Sequence, residues 1–321
     1  MSHAALRRSV PLMGTIVTID VPAPQVSGES GPTDVVSRKN AMNRAFQWFV
    51  DVERCCSRFD PESELMKLSR RPGFVVPVSD VLFEAVRFAV AMAEDSEGAF
   101  DPTIGYSMET RGFNRNYATG RVVRSGVEPH ESVTYRDVLL DPDEKTITLM
   151  RPLVLDLGAV AKGLAIDLAA RELRQFSSFS IDAGGDLYQG GCNANGEPWA
   201  VGIRHPRRDA ELIDVVYVSD RAVCTSGDYE RRQGEDSISE HHILDPRHNA
   251  SPRNLASVTV IGPTAMLADA AATSVFVMGI EEGIRFLERL ELDGLLITPA
   301  LDRYATKGMA REYRCNTSAI L

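Results

Sequence analysis

Leu155-Asp156-Leu157-Gly158-Ala159-Val160-Ala161-Lys162-Gly163-Leu164-Ala165-Ile166-Asp167 is the stretch around which the chain is organised. The apolar run from Pro152 to Leu155 reads as a strand that feeds a turn at Asp156 to Gly158. The Ala- and Leu-rich run beyond it reads as a helix to about Arg174. Such a junction leaves backbone N–H groups at the helix start, where an anion is favoured. Lys162 adds a positive charge there. That charge suits a phosphate, whereas the helix dipole prefers acids at this end. An ordinary helix start with a solvated lysine is the other reading of the same residues.

Working outward, 321 residues suffice for one large or two ordinary domains. The charged fraction of 25% and hydrophobic fraction of 44% are those of a globular protein. A net charge of −10 argues against nucleic acid or an anionic membrane as main partner, and leaves room for a local basic pocket. Cys55, Cys56, Cys192, Cys224 and Cys315 match no common zinc or disulfide spacing, and their odd number suggests reduced thiols. No apolar run reaches the ~20 residues that span a bilayer. Met1 to Arg8 lacks the apolar core of a signal peptide, so the expected location is cytoplasmic.

The chain shows no internal repeat and no sharp domain boundary. Val10 to Val21 reads as a strand and Pro22 to Pro32 as an exposed Pro/Gly/Ser-rich loop. Asp34 to Cys56 is predicted helical, with Ala41, Ala45, Phe49, Val52 and Cys56 on one stripe. A short helix is expected at Ser63-Glu64-Leu65, and a longer one from Ser79 or Asp80 to about Ser96. Gly98 to Gly105 reads as a shaped loop and Arg111 to Gly126 as irregular. Tyr135 to Leu140 and Thr146 to Leu149 read as strands around a hairpin loop. Ser178–Ile181, Ala200–Ile203, Asp214–Val218, Ala222–Cys224 and Ala256–Ile261 are further strands. Helices are expected from Ala265 to Met278, ended by Gly279, and from Glu281 to Leu290. Gly294–Thr298 and Arg303–Thr306 read as closing strands. The expected organisation is one domain over 10–310 with tails at 1–9 and 311–321; two closely packed α/β lobes are the other reading of the same span.

Four places carry chemistry. In the helix from Ala265, Asp269 is the only charged residue, and Thr273 shares its face four residues on. A buried carboxylate needs a partner, and a hard cation such as Mg²⁺ accepts carboxylate and hydroxyl oxygens. A Thr273 back-bond to the helix, with Asp269 facing solvent or a basic side chain, is the plainer alternative. Thr225-Ser226-Gly227-Asp228 offers hydroxyls and an acid, or simply a turn. His241-His242 with Asp245 could be a base and its orienting acid. A zinc pair is disfavoured, because adjacent histidines point apart on a strand and no third soft ligand is near. Asp182, Gly184, Gly185 and Asp186 fit a phosphate or sugar pocket, or a tight turn.

Taken together, eight segments in chain order resemble the ApbE family, the FAD:protein FMN transferases. They are Met13-Gly14-Thr15, Ser57 to Leu65, Gly98 to Gly105, Asp156 to Asp167, Gly184-Gly185-Asp186, Thr225 to Arg231, His242 to Arg247, and Ala268 to Gly279. The resemblance implies an α+β fold of mixed and antiparallel sheets with packed helices. It implies Mg²⁺-dependent transfer of the FMN half of FAD to a threonine of an acceptor flavoprotein, releasing AMP. By position, Asp269 and Thr273 match the family's metal-binding side chains, Ala159 a backbone carbonyl ligand, and Ala272 a further backbone oxygen. Met13, Phe59, Ala99, Phe100, Asp101, Asp156 and Lys162 match flavin-nucleotide contacts. His242 falls in the family's His-x-x-Asp-Pro segment near the reacting phosphates and is the first candidate base, with Asp228 second. Two departures stand out. Phe59 occupies a variable position near the adenine, and His248-Asn249 replaces a common Thr-Gly turn, whose left-handed backbone Asn tolerates. An FAD pyrophosphatase and a non-catalytic FAD-binding protein are the rival functions.

Overall fold

The computed structural model describes residues 5–22, 34–117, 119–129, 132–229, 232–233, 240–313 and 319–320. The chain starts with a hairpin, β1 (Leu6–Leu12) and β2 (Thr15–Val21). Helix α1 (Val35–Cys56) follows, its first turn capped by the Asp34 side chain. The short α2 (Glu64–Ser69) and β3 (Val76–Pro77) lead to α3 (Asp80–Asp95), capped by Ser79. Then come α4 (Gly105–Thr110), β4 (Val138–Asp141), β5 (Thr146–Leu149) and α5 (Gly158–Leu173). Strands β6 (Ser178–Ala183), β7 (Asp186–Gly191), β8 (Trp199–Arg204), β9 (Leu212–Val218) and β10 (Arg221–Gly227) follow. Two-residue strands β11 (Arg232–Gln233) and β12 (Glu240–His241) precede β13 (Ser257–Gly262). The chain closes with α6 (Ala265–Met278), α7 (Ile280–Arg289), β14 (Asp293–Ile297), β15 (Arg303–Ala305), α8 (Lys307–Glu312) and β16 (Ala319–Ile320).

Nine strands form one sheet in the order β1-β2-β6-β7-β10-β13-β14-β15-β16. Every pair is antiparallel except the last. The fold is therefore α+β, as the sequence implied. Both faces of the central strands are covered, and the two-residue alternation divides them between two cores. Cys224, Val258, Val260 and Leu296 join α1, α3, α5 and α6 in the larger core. Val223, Ile261, Leu295 and Ile297 face the β8–β9 hairpin and Met309 in the smaller one.

Several sequence expectations need correction. Val10–Val21 is a hairpin, because Met13 and Gly14 both take positive φ (51° and 72°) and reverse the chain. The alternating pattern continues through both arms, so it hides the turn. The hairpin also starts at Leu6, within the stretch assigned to the N-terminal tail. Pro152–Leu155 makes only an isolated bridge, Val154 to Ile104. Tyr135–Asp137 is a 3₁₀ turn closed by a Thr134–Asp137 capping box. Thr225–Gly227 belongs to β10 and is not a turn. Helices α4 and α8 were not anticipated. From residue 23 the expected exposed loop lies outside the described residues, as do Glu230 and Arg231.

Candidate active site

Two cavities open beside the start of α5 and share Lys162, Asp156, Gly158, Arg58, Phe59 and Tyr117 in their walls. One, of about 570 Å³, runs along the β1–β2 turn and includes Met13. The other, of about 410 Å³, reaches Ala99, Phe100, Asp101, Ala159, His242, Asp269 and Thr273. The structure thus brings together eleven of the thirteen residues assigned from sequence. Asp228 and Ala272 border neither cavity.

The β1–β2 turn is held by the Met13 N–H, which donates to Glu53 on α1 at 3.2 Å. Gly14 is required there twice, by its φ of 72° and because a Cβ would meet the Tyr117 ring at 2.7 Å. Tyr117 in turn packs edge-on against Phe59, with ring centroids 5.3 Å apart. The Arg58 guanidinium lies over the Phe59 ring, 4.2 Å from its centroid. Sequence reasoning missed Arg58 and Tyr117. Arg58 sits inside a matched segment, but Tyr117 lies in a stretch with no pattern at all.

Asp156 is not an open carboxylate. Its Oδ2 accepts from Arg58 Nε at 2.6 Å and its Oδ1 from the Gly158 N–H at 2.8 Å. The Val160 and Ala161 N–H groups bond to the Leu157 carbonyl. The helix start is therefore largely satisfied by its own turn, and the anion cradle expected there is reduced. Asp101 is similarly committed: Thr103 donates twice to Oδ1 and the Tyr135 N–H donates to Oδ2. Burial raises its pKa against these bonds, and the residue shapes the 98–105 loop from within.

The charged centre of the cleft is Lys162. Its Nζ pairs with Asp269 Oδ2 at 2.9 Å and, in closer contact, with Asp186 Oδ2. All three side chains are largely buried. Asp186 follows the Gly184-Gly185 turn, where both φ are positive; the motif makes a tight turn, and its Gly184 and Asp186 also line the cavity. Thr273, one helical turn beyond Asp269, lies 3.2 Å from the Ser226 hydroxyl. Helices α5 and α6 approach closely because Gly163 has no side chain; a Cβ there would lie 2.5 Å from Met266 Cα. Among the described residues no group of three His, Cys, Asp or Glu side chains has metal-binding geometry.

The adjacent histidines do point apart. His241 is buried, its Nε2 2.8 Å from the Pro252 carbonyl and its ring edge-on to Phe276. His242 borders the cavity. Asp245 does not orient it: this carboxylate binds Arg247 and the His248 Nδ1 at 2.7 Å. Burial would raise the Asp245 pKa, yet the His248 and Arg247 hydrogen bonds outweigh it and hold the carboxyl below its usual range. Asn249 does adopt the left-handed backbone, with φ 49°. Asp228 is clamped by Arg207, whose two nitrogens donate to its two oxygens at 2.6 and 2.7 Å. That fork holds the Asp228 carboxylate outside the walls of both cavities. Ala272 is fully buried in the interior of α6.

The fold is that of a flavin transferase. A flavin transferase ApbE from Vibrio cholerae superposes with a TM-score of 0.77 at 25% identity, covering 95% of this chain and 97% of that one. The ApbE protein of Thermotoga maritima superposes with a TM-score of 0.80 at 30% identity, covering 94% and 96%. A curated FAD:protein FMN transferase of Vibrio cholerae is 28% identical over 92% of this chain and 88% of its own length. One from Klebsiella pneumoniae is 30% identical over 81% and 83%. The ApbE family profile matches residues 13–296, and the chain belongs to that family.

Proposed function

We propose that this chain transfers the FMN moiety of FAD to a threonine hydroxyl of an acceptor flavoprotein and releases AMP, with Mg²⁺ as cofactor. The observation that carries the reading is the Lys162 ammonium at the junction of two cavities, shared by two buried carboxylates. FAD has two bulky halves joined by an anionic pyrophosphate. Two adjoining cavities match those halves in shape, and the Lys162 ammonium at their junction, with a divalent ion on the carboxylate side, would face the pyrophosphate. The names carried by the curated relatives supply the reaction class.

The donors present fit a hard divalent ion. The Asp269 carboxylate and the Thr273 and Ser226 hydroxyls are oxygen ligands, and the cavity wall around them contains no thiol. Asp269, Thr273 and the Ala159 carbonyl would hold the ion; Ala272 is omitted because it does not border the cavity. When bound, Mg²⁺ supplies Lewis-acid charge to the pyrophosphate oxygens.

Lys162 binds those same oxygens and offsets the charge that gathers on them in the transition state. Phe59, held by Arg58 and Tyr117 in the walls of both cavities, offers aromatic contact to a planar ring of the substrate. The acceptor threonine oxygen bonds to the riboflavin-side phosphorus as the bond from that phosphorus to the bridging oxygen breaks. AMP leaves with that oxygen, and His242, the imidazole in the cavity wall, takes the threonine proton.

The test is to incubate the protein with FAD and Mg²⁺, with and without an acceptor flavoprotein domain, following AMP and acceptor mass. Acceptor-dependent AMP with an FMN adduct supports transfer. AMP with free FMN in the absence of acceptor makes the protein a pyrophosphatase. FAD retained with no AMP makes it a binding protein.

A further inference from the structure

Asp186 has no role in the reaction as described so far, yet it is a buried acid held in the cleft from two sides. It is 5% exposed. It lies opposite Ala183 across the Gly184-Gly185 turn, so the hairpin fixes its backbone. Its Oδ1 accepts the Thr225 N–H of β10 at 3.0 Å, which fixes its side chain and leaves Oδ2 facing Lys162. Lys162, by contrast, has a four-carbon stem and contacts Asp186 and Asp269 with one ammonium.

The two carboxylates are not equivalent. Asp269 stands one helical turn from Thr273 on α6, among the oxygens that suit a divalent ion. Its Oδ2 is already used by the ammonium. A divalent ion and an ammonium repel each other strongly in a buried site, so an ion on Asp269 competes with Lys162 for that carboxylate. We propose that Asp186 is the positioning residue for Lys162: it retains the ammonium at the cavity junction when a divalent cation takes Asp269, and so lowers the competition between lysine and metal for that carboxylate. The inference rests on the cation assignment made above.

The experiment measures Mg²⁺ binding to the full-length protein without FAD, by titration calorimetry, so that turnover does not enter. In Asp186→Asn the ammonium is left with Asp269 alone, and Mg²⁺ affinity should fall at least fivefold. In Lys162→Met the competitor is gone, and Mg²⁺ should bind more tightly than in the wild type. Adding Asp186→Asn to Lys162→Met should then change Mg²⁺ affinity by less than twofold, because Asp186 acts through the lysine. Asp186→Glu, which keeps the charge, should recover most of the loss. Equal losses on adding Asp186→Asn to either background would make Asp186 a direct metal ligand and overturn the proposal. So would an unchanged affinity in Asp186→Asn, or an affinity in Lys162→Met no tighter than wild type. Wild-type protein that takes up no Mg²⁺ would instead overturn the cation assignment, and this inference with it. Thermal melts of each variant separate these outcomes from misfolding, and Lys162→Met alone still tests the competition if Asp186→Asn does not fold.

Discussion

The Asp167 carboxylate on α5 accepts the backbone N–H groups of Ala265 at 2.7 Å and Met266 at 3.0 Å, the first two residues of α6. One side chain thus caps a neighbouring helix and ties it to its own. Helix α5 carries Ala159 and Lys162, and α6 carries Asp269 and Thr273, so this contact ties together the two helices that carry the site. Asp167→Ala would leave two largely buried donors without their acceptor, at a cost of about 1–3 kcal/mol. The expected outcome is a thermal midpoint lower by several degrees together with weaker Mg²⁺ binding. A lower midpoint with unchanged Mg²⁺ affinity would mean that the contact stabilises the fold without positioning the site.

Asp167 also makes stability depend on pH. Burial raises its pKa to about 6, against the hydrogen bonds from Met266 and Ala265 that lower it. The folded pKa lies above the unfolded one, near 4, so the folded state holds the proton more tightly. The stabilisation this gives is complete below about pH 4 and is lost as pH rises through 6. Asp167→Asn cannot titrate. The stability gap between wild type and Asp167→Asn should therefore shift against the wild type between pH 4.5 and pH 7.5, on the order of 3 kcal/mol at most. Denaturant melts at both pH values check the sign; a shift in favour of the wild type would contradict it.

Gly163→Ala tests the same helix pair from its packing. The added methyl meets Met266 Cα at 2.5 Å and Met266 N at 2.6 Å, which are backbone atoms and cannot rotate away. Overpacking of this kind costs roughly 1–3 kcal/mol. Separation of the helices should also widen the Lys162–Asp269 distance and lower FAD and Mg²⁺ affinity together. A variant with wild-type melting and binding would show that the helices have slack at this point.

Asp269→Asn should keep the fold and lose Mg²⁺ binding and transfer together, the rate falling by about 100-fold or more. Full transfer by this variant at limiting Mg²⁺ would remove Asp269 from the metal site.

His242→Ala should lower kcat by about 100-fold or more while changing FAD affinity little, with one limb of the pH–rate profile lost. Asp228→Asn should affect kcat less, since Arg207 holds that carboxylate outside the cavity walls. Equal losses of kcat and FAD affinity in His242→Ala would make His242 a binding residue. A larger loss in Asp228→Asn than in His242→Ala would reverse the choice of base.

The sequence alone determined the long helices and most strands, because their stripes and alternations are local and their caps are spelled out. Asp34, Ser63 and Ser79 each cap the helix that follows them. It also determined the family, since eight short segments in fixed order are legible without any coordinates. The isolated charge of Asp269 and the adjacent Lys162 helix were visible as chemistry, though in separate segments 107 residues apart. Only the tertiary structure decided which polar groups spend themselves on each other. Asp156 is satisfied by Arg58, Asp245 by His248 and Arg247, and Asp228 by Arg207, partners that no periodicity or spacing announces. It alone placed Asp186 against Lys162, through a hairpin turn that brings one acid beneath a helix packed on the sheet. The physical reason is range: backbone preferences act between near neighbours in the chain, whereas ion pairs and cavities form between residues that only the folded sheet and helices bring together.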